Sequence, residues 1–240
     1  MAQLPPPEHV AIIMDGNNRW ARQRFLPRAM GHKAGIEAIR PVAEACDRLG
    51  IRILTVFAFS TENWKRPQDE VETLMELFGE TIRREVETCV RRGVEMRFCG
   101  RLDELSSGLR EQMRQANERT RANSHAVLNV AVNYGGRQEI VDAVREMARA
   151  GVDLSRLEEG MVARHLYTRD LPDPDLIIRT AGEMRLSNFL LWQAAYAEFY
   201  STPTLWPDFG EADLAEAVDV FNRRVRRFGS RPEEVEHRGR

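Results

Sequence analysis

Apolar and polar positions follow two alternating periods along this chain. Consecutive apolar, often β-branched residues read as strands buried on both faces at Val10 to Met14, Ile51 to Phe59, Val94 to Phe98, Val127 to Val132 and Leu176 to Ile178. Between them the apolar positions recur at threes and fours. Val71, Leu74, Met75, Phe78, Ile82 and Val86 mark a long amphipathic helix over 69–92, stopped by Gly93. Helical patterns also cover 34–49 (ending at Gly50), 105–123, the segment from Arg137 to about Ala150, 158–166 and 212–228. Pro41 lies inside the first of these and predicts either a kink or a helix that restarts. Phe189 to Trp192 and Glu198 to Tyr200 are short apolar-aromatic segments. Regular alternation without a break in composition predicts one α/β domain with a mainly parallel sheet. We place it at 9–228, after a loose lead-in at 1–8 and before a charged tail at 229–240.

The strand ends carry the chemistry. The first apolar run stops at Asp15, passes through Gly16-Asn17-Asn18 and restarts beside Arg19 and Trp20. Gly16 permits a tight turn, and Asn17 or Asn18 is a candidate cap for a helix beginning near Arg19. Three further strand ends carry polar clusters: Ser60 to Arg66, Asn133 to Arg137 and Arg179 to Ser187. On one side of a parallel sheet these four loops converge, and that edge is where open α/β sheets bind ligands. Arg19, Arg28, His32, Arg66, Arg179 and Arg185 point to an anionic ligand, because guanidinium groups suit paired phosphate contacts. Asp15 among them is either a ligand for Mg²⁺, which takes carboxylate, water and phosphate, or a salt-bridge partner that positions an arginine. Taken alone it also reads as an ordinary turn residue. Neither a GxxxxGK[ST] nor a GxGxxG motif occurs, which argues against a P-loop kinase and a dinucleotide fold. His9, His125 and His165 read as structural or surface histidines, and the tryptophans as core or lid aromatics.

Composition narrows the field. With 35 basic and 37 acidic residues the formal charge is -2, which gives no support to nucleic-acid binding. No apolar run approaches the roughly 20 residues that span a bilayer. Cys46, Cys89 and Cys99 are scattered, as expected of buried thiols in a reducing, cytoplasmic setting. Phe57, Ala58, Phe59 and the apolar face of helix 69–92 would wall an oily cleft behind the polar strand ends, the combination a lipid diphosphate requires.

Taken together, HVAIIMDGNNRWA, GHKAG at Gly31 to Gly35, FAFSTENWKRP at Phe57 to Pro67, NYGGR at Asn133 to Arg137, DLIIRTAGEMRLSNFLLWQ at Asp175 to Gln193 and YAEFY before LWPDF resemble the cis-prenyltransferase (isoprenyl transferase) family, on its bacterial branch. The likeness spans His9 to Phe228. It implies a six-stranded, non-Rossmann α/β fold and condensation of isopentenyl diphosphate onto an allylic diphosphate, usually farnesyl diphosphate, with a Z double bond at each addition. It further implies Asp15 as the Mg²⁺-linked catalytic carboxylate, with Glu198 as a second Mg²⁺-linked position. Gly16, Asn17, Asn18, Arg19, Trp20, Arg28 and His32 would surround the allylic head group. Arg179, Arg185, Leu186 and Ser187 would hold isopentenyl diphosphate. Asn63 matches the residue associated with proton removal, amid Ser60, Thr61, Glu62, Trp64 and Arg66. An amide is a poor base at neutral pH, so orienting a diphosphate oxygen that takes the proton is the alternative role for Asn63.

The small Ala58 resembles long-chain members and implies a C55 product for cell-wall lipid carrier synthesis, with Leu128 near the far end of the tunnel. A homodimer, and transient contact with the inner face of the cell membrane through the lipid product, follow from the same likeness. Three departures stand out: Asn18 and Ala181 replace common glycines, and Met184 replaces a common histidine. Two rival functions remain in view, a non-catalytic polyprenyl-binding or regulatory subunit and a phosphotransferase using the same basic edge.

Overall fold

The computed structural model of the chain describes residues 5–224. Six strands form one sheet in the order β3-β4-β2-β1-β5-β6: β1 His9–Ile13, β2 Ile53–Ser60, β3 Val94–Cys99, β4 Ala126–Tyr134, β5 Leu176–Arg179 and β6 Glu198–Ser201. Every described pairing is parallel, so the carboxyl ends of β1, β2, β4 and β5 share one edge. That edge carries all four polar clusters. β1, β2 and β4 form the centre, where both faces are covered; this is why they read as unbroken apolar runs. Val10 and Ile12 point into the large core under the long helices, whereas Ala11 and Ile13 face a smaller core closed by Phe189, Leu190 and Tyr134.

The helices are α1 Asn17–Gln23, α2 Arg28–Glu37, α3 Ile39–Arg48, α4 Gln68–Arg92, α5 Ser107–Thr120, α6 Gly136–Arg149, α7 Glu159–Ala163 and α8 Glu211–Arg223. The long helix α4 is as the periodicity predicts, ending in a left-handed Gly93 with φ 69°. The pattern over 34–49 divides into two helices around Ala38, and Pro41 falls in the first turn of α3. A proline is tolerated there, because the first-turn N–H groups have no intrahelical acceptor. The helix restarts and does not kink.

Other expectations need correction. α1 begins at Asn17, with Gly16 in the cap position at φ 108° and no side-chain cap, so neither Asn17 nor Asn18 serves as one. A Cβ on Gly16 would lie 2.9 Å from Leu205 Cδ2, so close packing as well as backbone conformation demands glycine. Met14 lies outside β1. The predicted end of the last helix and the charged tail lie outside the described residues, as does most of the lead-in. No helix among the described residues is long and apolar enough to cross a membrane.

His9 is buried in the sheet, as a structural residue. Its Nδ1 donates to the Pro172 carbonyl at 2.7 Å and its Nε2 accepts from Thr55 Oγ1 at 2.7 Å. The three cysteines are buried free thiols; burial pushes Cys46 and Cys99 up to about 12 and Cys89 up to about 11, which keeps them protonated.

Candidate active site

A polar pocket of about 170 Å³ sits at the carboxyl edge of the sheet. Of the residues singled out above, Asp15, Gly16, Asn17, Asn18, Arg19, His32, Asn63 and Arg66 line it. Asp15 is held just past the end of β1 because its backbone N–H and C=O both bond the Thr180 hydroxyl, at 2.9 and 2.7 Å. Its Oδ2 accepts from Arg179 at 2.9 Å, while Oδ1 has Arg19 at 3.7 Å. The carboxylate is 32% exposed, so Oδ1 keeps room for another partner.

Arg179 ends β5 and is only 4% exposed. One terminal nitrogen bonds the Arg185 carbonyl at 2.5 Å and the Ser187 hydroxyl at 2.7 Å; the other bonds Asp15; its Nε has no partner among the described residues. A buried guanidinium donor without an acceptor is costly and fits a site that receives an anion. The loop after β5 is strained around it. Ala181, Ser187, Asn188 and Leu190 all have positive φ, an arrangement that other contacts must hold in place. The Arg185 side chain pairs with Glu183, and Leu186 packs into the smaller core.

Across the pocket, the loop after β2 is fixed by a capping box. The Ser60 side chain accepts from the Asn63 backbone N–H, and Asn63 Oδ1 accepts from the Ser60 N–H at 3.0 Å. The Nδ2 donors of Asn63 make no hydrogen bond among the described residues, and the side chain lines the pocket. Glu62 accepts from Asn188 Nδ2 at 2.9 Å, which ties this loop to the one after β5; Thr61 Oγ1 donates to Glu62. Trp64 donates to Asn133 Oδ1 at 2.7 Å and packs edge-on against Phe59. The NYGGR segment is therefore scaffolding for the neighbouring loops, with Arg137 exposed. Trp20 is similarly committed, donating to Asp208 at 2.7 Å while Arg24 lies over its ring at 4.3 Å.

One organising residue is absent from the sequence reading. Glu70, in the first turn of α4, accepts from Arg66 at 3.1 Å and from His32 Nε2 at 3.0 Å, and it has Arg28 at 3.7 Å. It gathers three candidate anion-binding residues, two from α2 and one from the loop before α4. The i,i+4 spacing to Arg66 was the available signal, but it also describes countless surface pairs. Burial holds the His32 imidazole below its usual value, opposed by the Glu70 bond, so the ring is neutral near pH 7.

Behind the polar pocket lies an apolar cavity of about 440 Å³ between α3, α4 and the sheet. Ile36, Ile39, Ala58 and Phe78 line both, so the two adjoin there. Ala58 is the extra residue of a bulge between β2 and β4, where Phe57 pairs with Ala131 and Phe59 with Val132. Leu128 lines the apolar cavity.

Glu198 is not brought to Asp15. It stands in register with Leu176, which pairs with Val10, leaving it five residues short of Asp15, about 16 Å along the strands. Its carboxylate accepts from Arg224 at 2.6 Å. The departures from the family pattern also find their places. Asn18 lies within α1 with a negative φ and needs no left-handed freedom. Ala181 does occupy the left-handed region, at φ 70°, and its carbonyl accepts from Arg19 at 2.9 Å. Met184 is exposed.

The family profile described as "Putative undecaprenyl diphosphate synthase" matches residues 13–229. An isoprenyl transferase of Heliobacterium mobile is 52% identical over 93% of this chain and 87% of its own length. The ditrans,polycis-undecaprenyl-diphosphate synthase ((2E,6E)-farnesyl-diphosphate specific) of Aliivibrio fischeri is 47% identical over 96% of this chain and 91% of its own. Among solved structures, lavandulyl diphosphate synthase from Lavandula x intermedia, in complex with dimethylallyl diphosphate, superposes with a TM-score of 0.90. It is 38% identical and covers 94% of this chain and 99% of that one. A probable undecaprenyl diphosphate synthase from Campylobacter jejuni gives 0.79 at 33% identity, covering 93% and 99%. With the whole domain matched in sequence and fold, the chain belongs to the cis-prenyltransferase (isoprenyl transferase) family, close to the bacterial undecaprenyl diphosphate synthases, and is a transferase.

Proposed function

We propose that this enzyme is a Mg²⁺-dependent cis-prenyltransferase that extends farnesyl diphosphate with isopentenyl diphosphate to C55 undecaprenyl diphosphate, for cell-wall lipid carrier synthesis. One observation carries the reading: a polar pocket lined by Arg19 and Arg66 adjoins, at Ala58, an apolar cavity of about 440 Å³. Such an adjoining pair of spaces suits an amphiphile with an anionic head and a growing hydrocarbon tail. The relative named for farnesyl diphosphate and the neighbour solved with dimethylallyl diphosphate support an allylic diphosphate in that place.

In this reading Arg19, Arg28, His32 and Arg66 receive the allylic diphosphate, and Arg179, Arg185 and Ser187 the isopentenyl diphosphate. The alkene attacks the allylic C1 as its C–O bond to diphosphate breaks, and a proton leaves C2 of the incoming unit. The donors around the pocket stabilise charge on the departing diphosphate, and the apolar wall keeps water from the allylic carbon. Asn63 spends its oxygen on the Ser60 N–H, so it acts through Nδ2 as a donor that orients a diphosphate oxygen, and that oxygen takes the proton.

The residues present fit Mg²⁺. Asp15 offers one partly exposed carboxylate oxygen beside a phosphate-binding pocket, and Mg²⁺ is usually held by one or two carboxylates together with substrate phosphates. Among the described residues no three His, Cys, Asp or Glu side chains form a ready-made cage. When bound, the ion would supply charge neutralisation on the leaving diphosphate. Glu198 would reach it only from a second copy of the chain, as the proposed homodimer would allow.

The test is incubation of the purified enzyme with Mg²⁺, farnesyl diphosphate and labelled isopentenyl diphosphate. Chain extension is expected, with a C55 product on chromatography. Failure to extend any of a range of allylic primers overturns the reading, and extension only after another protein is added favours the regulatory-subunit alternative. Asp15→Asn should lower turnover by roughly a hundredfold or more while leaving the thermal transition near that of the parent. Undiminished turnover removes Asp15 from the mechanism.

A further inference from the structure

The connection between α1 and α2 is built to be seen from outside. Residues 22–30 are exposed without interruption, although they include Phe25, Leu26 and Met30. Phe25 is 98% exposed, Leu26 38% and Met30 44%. The backbone makes this arrangement rigid. Leu26 N–H bonds the Ala21 carbonyl at 2.9 Å and Phe25 N–H the Arg22 carbonyl at 3.2 Å, the paired bonds of a Schellman stop. In that motif the left-handed residue is usually glycine; here it is Phe25, at φ 56°. A bulky side chain in this region is strained, and within the chain it gains no packing in return. Arg24 bonds Asp208 through its guanidinium and pins the loop to the rest of the domain.

Charge says what faces the patch. From Gly16 to Ile36 the chain carries Arg19, Arg22, Arg24, Arg28 and Lys33 and no Asp or Glu, in a protein whose formal charge is -2. Arg22 and Lys33 flank the apolar residues, are exposed, and make no ion pair among the described residues. Arg22 lies in the last turn of α1, just before the Phe25 stop, and Lys33 follows Met30 by three positions on one face of α2, so both are close to the patch in the chain.

The geometry points to docking of this α1–α2 corner on an anionic lipid surface, with Phe25, Leu26 and Met30 entering the interface and Arg22 and Lys33 meeting the head groups. Exposed apolar side chains with unpaired basic ones beside them are what binding at such an interface requires. The same two helices supply Arg19 and His32 to the polar pocket, so docking would bring the elements that carry the pocket to the lipid surface.

The experiment is flotation of the full-length, substrate-free protein with vesicles of phosphatidylcholine alone or mixed with phosphatidylglycerol, in low and high salt. Binding is expected to the mixed vesicles, weakened by salt. Phe25→Gly relieves the strained φ and removes the inserted ring. It should therefore keep or raise the melting temperature while reducing the partition coefficient roughly tenfold or more. Arg22→Glu with Lys33→Glu should remove the preference for anionic vesicles. Equal binding by Phe25→Gly, equal binding to both vesicle types, or no binding to either overturns the inference. So does a change in oligomeric state by size-exclusion with vesicle binding intact, because the patch then belongs to a second copy. None of these readouts involves prenyl transfer, so this inference and the proposed reaction fail separately.

Discussion

Asn63 offers the sharpest test of how this site works, because its two ends do different things. The oxygen accepts the Ser60 N–H at 3.0 Å and completes a capping box, whereas the amide nitrogen makes no hydrogen bond among the described residues, in a residue that lines the pocket. Asn63→Asp keeps an acceptor for Ser60 and replaces the donor with a negative charge. Stability should stay within about 0.5 kcal/mol of the parent, since a carboxylate near the start of a helical turn is tolerated. Loss of one donor aimed at developing negative charge costs about 3–4 kcal/mol of transition-state stabilisation, roughly a hundred- to a thousandfold in kcat. Asn63→Ala loses both functions, so the same fall in turnover should come with about 1 kcal/mol of destabilisation from the unpaired Ser60 N–H. The assay is single-turnover extension of farnesyl diphosphate beside urea unfolding of each variant. A general base would behave oppositely, because a carboxylate is a much stronger base than an amide. Retained or increased activity in Asn63→Asp refutes the donor role.

Three further outcomes follow from the same geometry. Ala58→Leu places three more carbons on the wall shared by the two cavities and should shorten the product while sparing the first condensation; chromatography showing unchanged C55 would contradict a tail path past Ala58. Glu70→Gln weakens the hold on Arg66 and His32 and should raise KM for the allylic diphosphate by about tenfold, with a smaller effect on kcat. Equal KM values would remove Glu70 as a positioning residue. Acid should destabilise the fold in a defined window: burial, only partly opposed by the Pro172 bond and Asp175, pushes His9 down to about 4 from an unfolded value of 6.5. The folded state thus favours the neutral ring, and its contribution is whole above pH 6.5 and lost as the pH falls to about 4, about 3 kcal/mol in all. The lowered His32 adds in the same direction. A His9→Gln variant with the parent's pH slope in urea unfolding would refute the assignment.

Much of the site was legible in the sequence because its anchors are local. A buried strand ending at a carboxylate, followed by glycine, needs only a dozen residues to be recognised, and the parallel alternation then brings four such ends to one edge. Asp15, the two arginine loops, the small Ala58 and the helix of 69–92 were readable on that basis. Other features depend on contacts between segments far apart in the chain. Pro41 announced a kink or a restart within 34–49, but the choice between them, and the start of α2 at Arg28, were not in the pattern; Gly16 is the cap because of its left-handed φ and because Leu205, nearly two hundred residues away, lies close to where a side chain would stand.

The sequence by itself determined the α/β class, the family and the cast of anionic-site residues, since periodicity, turn chemistry and long motifs are properties of neighbouring residues. Only the tertiary structure decided what each member of that cast does. It gave Glu70 the task of gathering Arg28, His32 and Arg66, took the Asn63 oxygen for Ser60, assigned NYGGR and Trp20 to holding loops, and kept Glu198 strands away from Asp15. The reason is physical: a side chain's role depends on which of its polar atoms are already satisfied, and partners distant in the chain settle that.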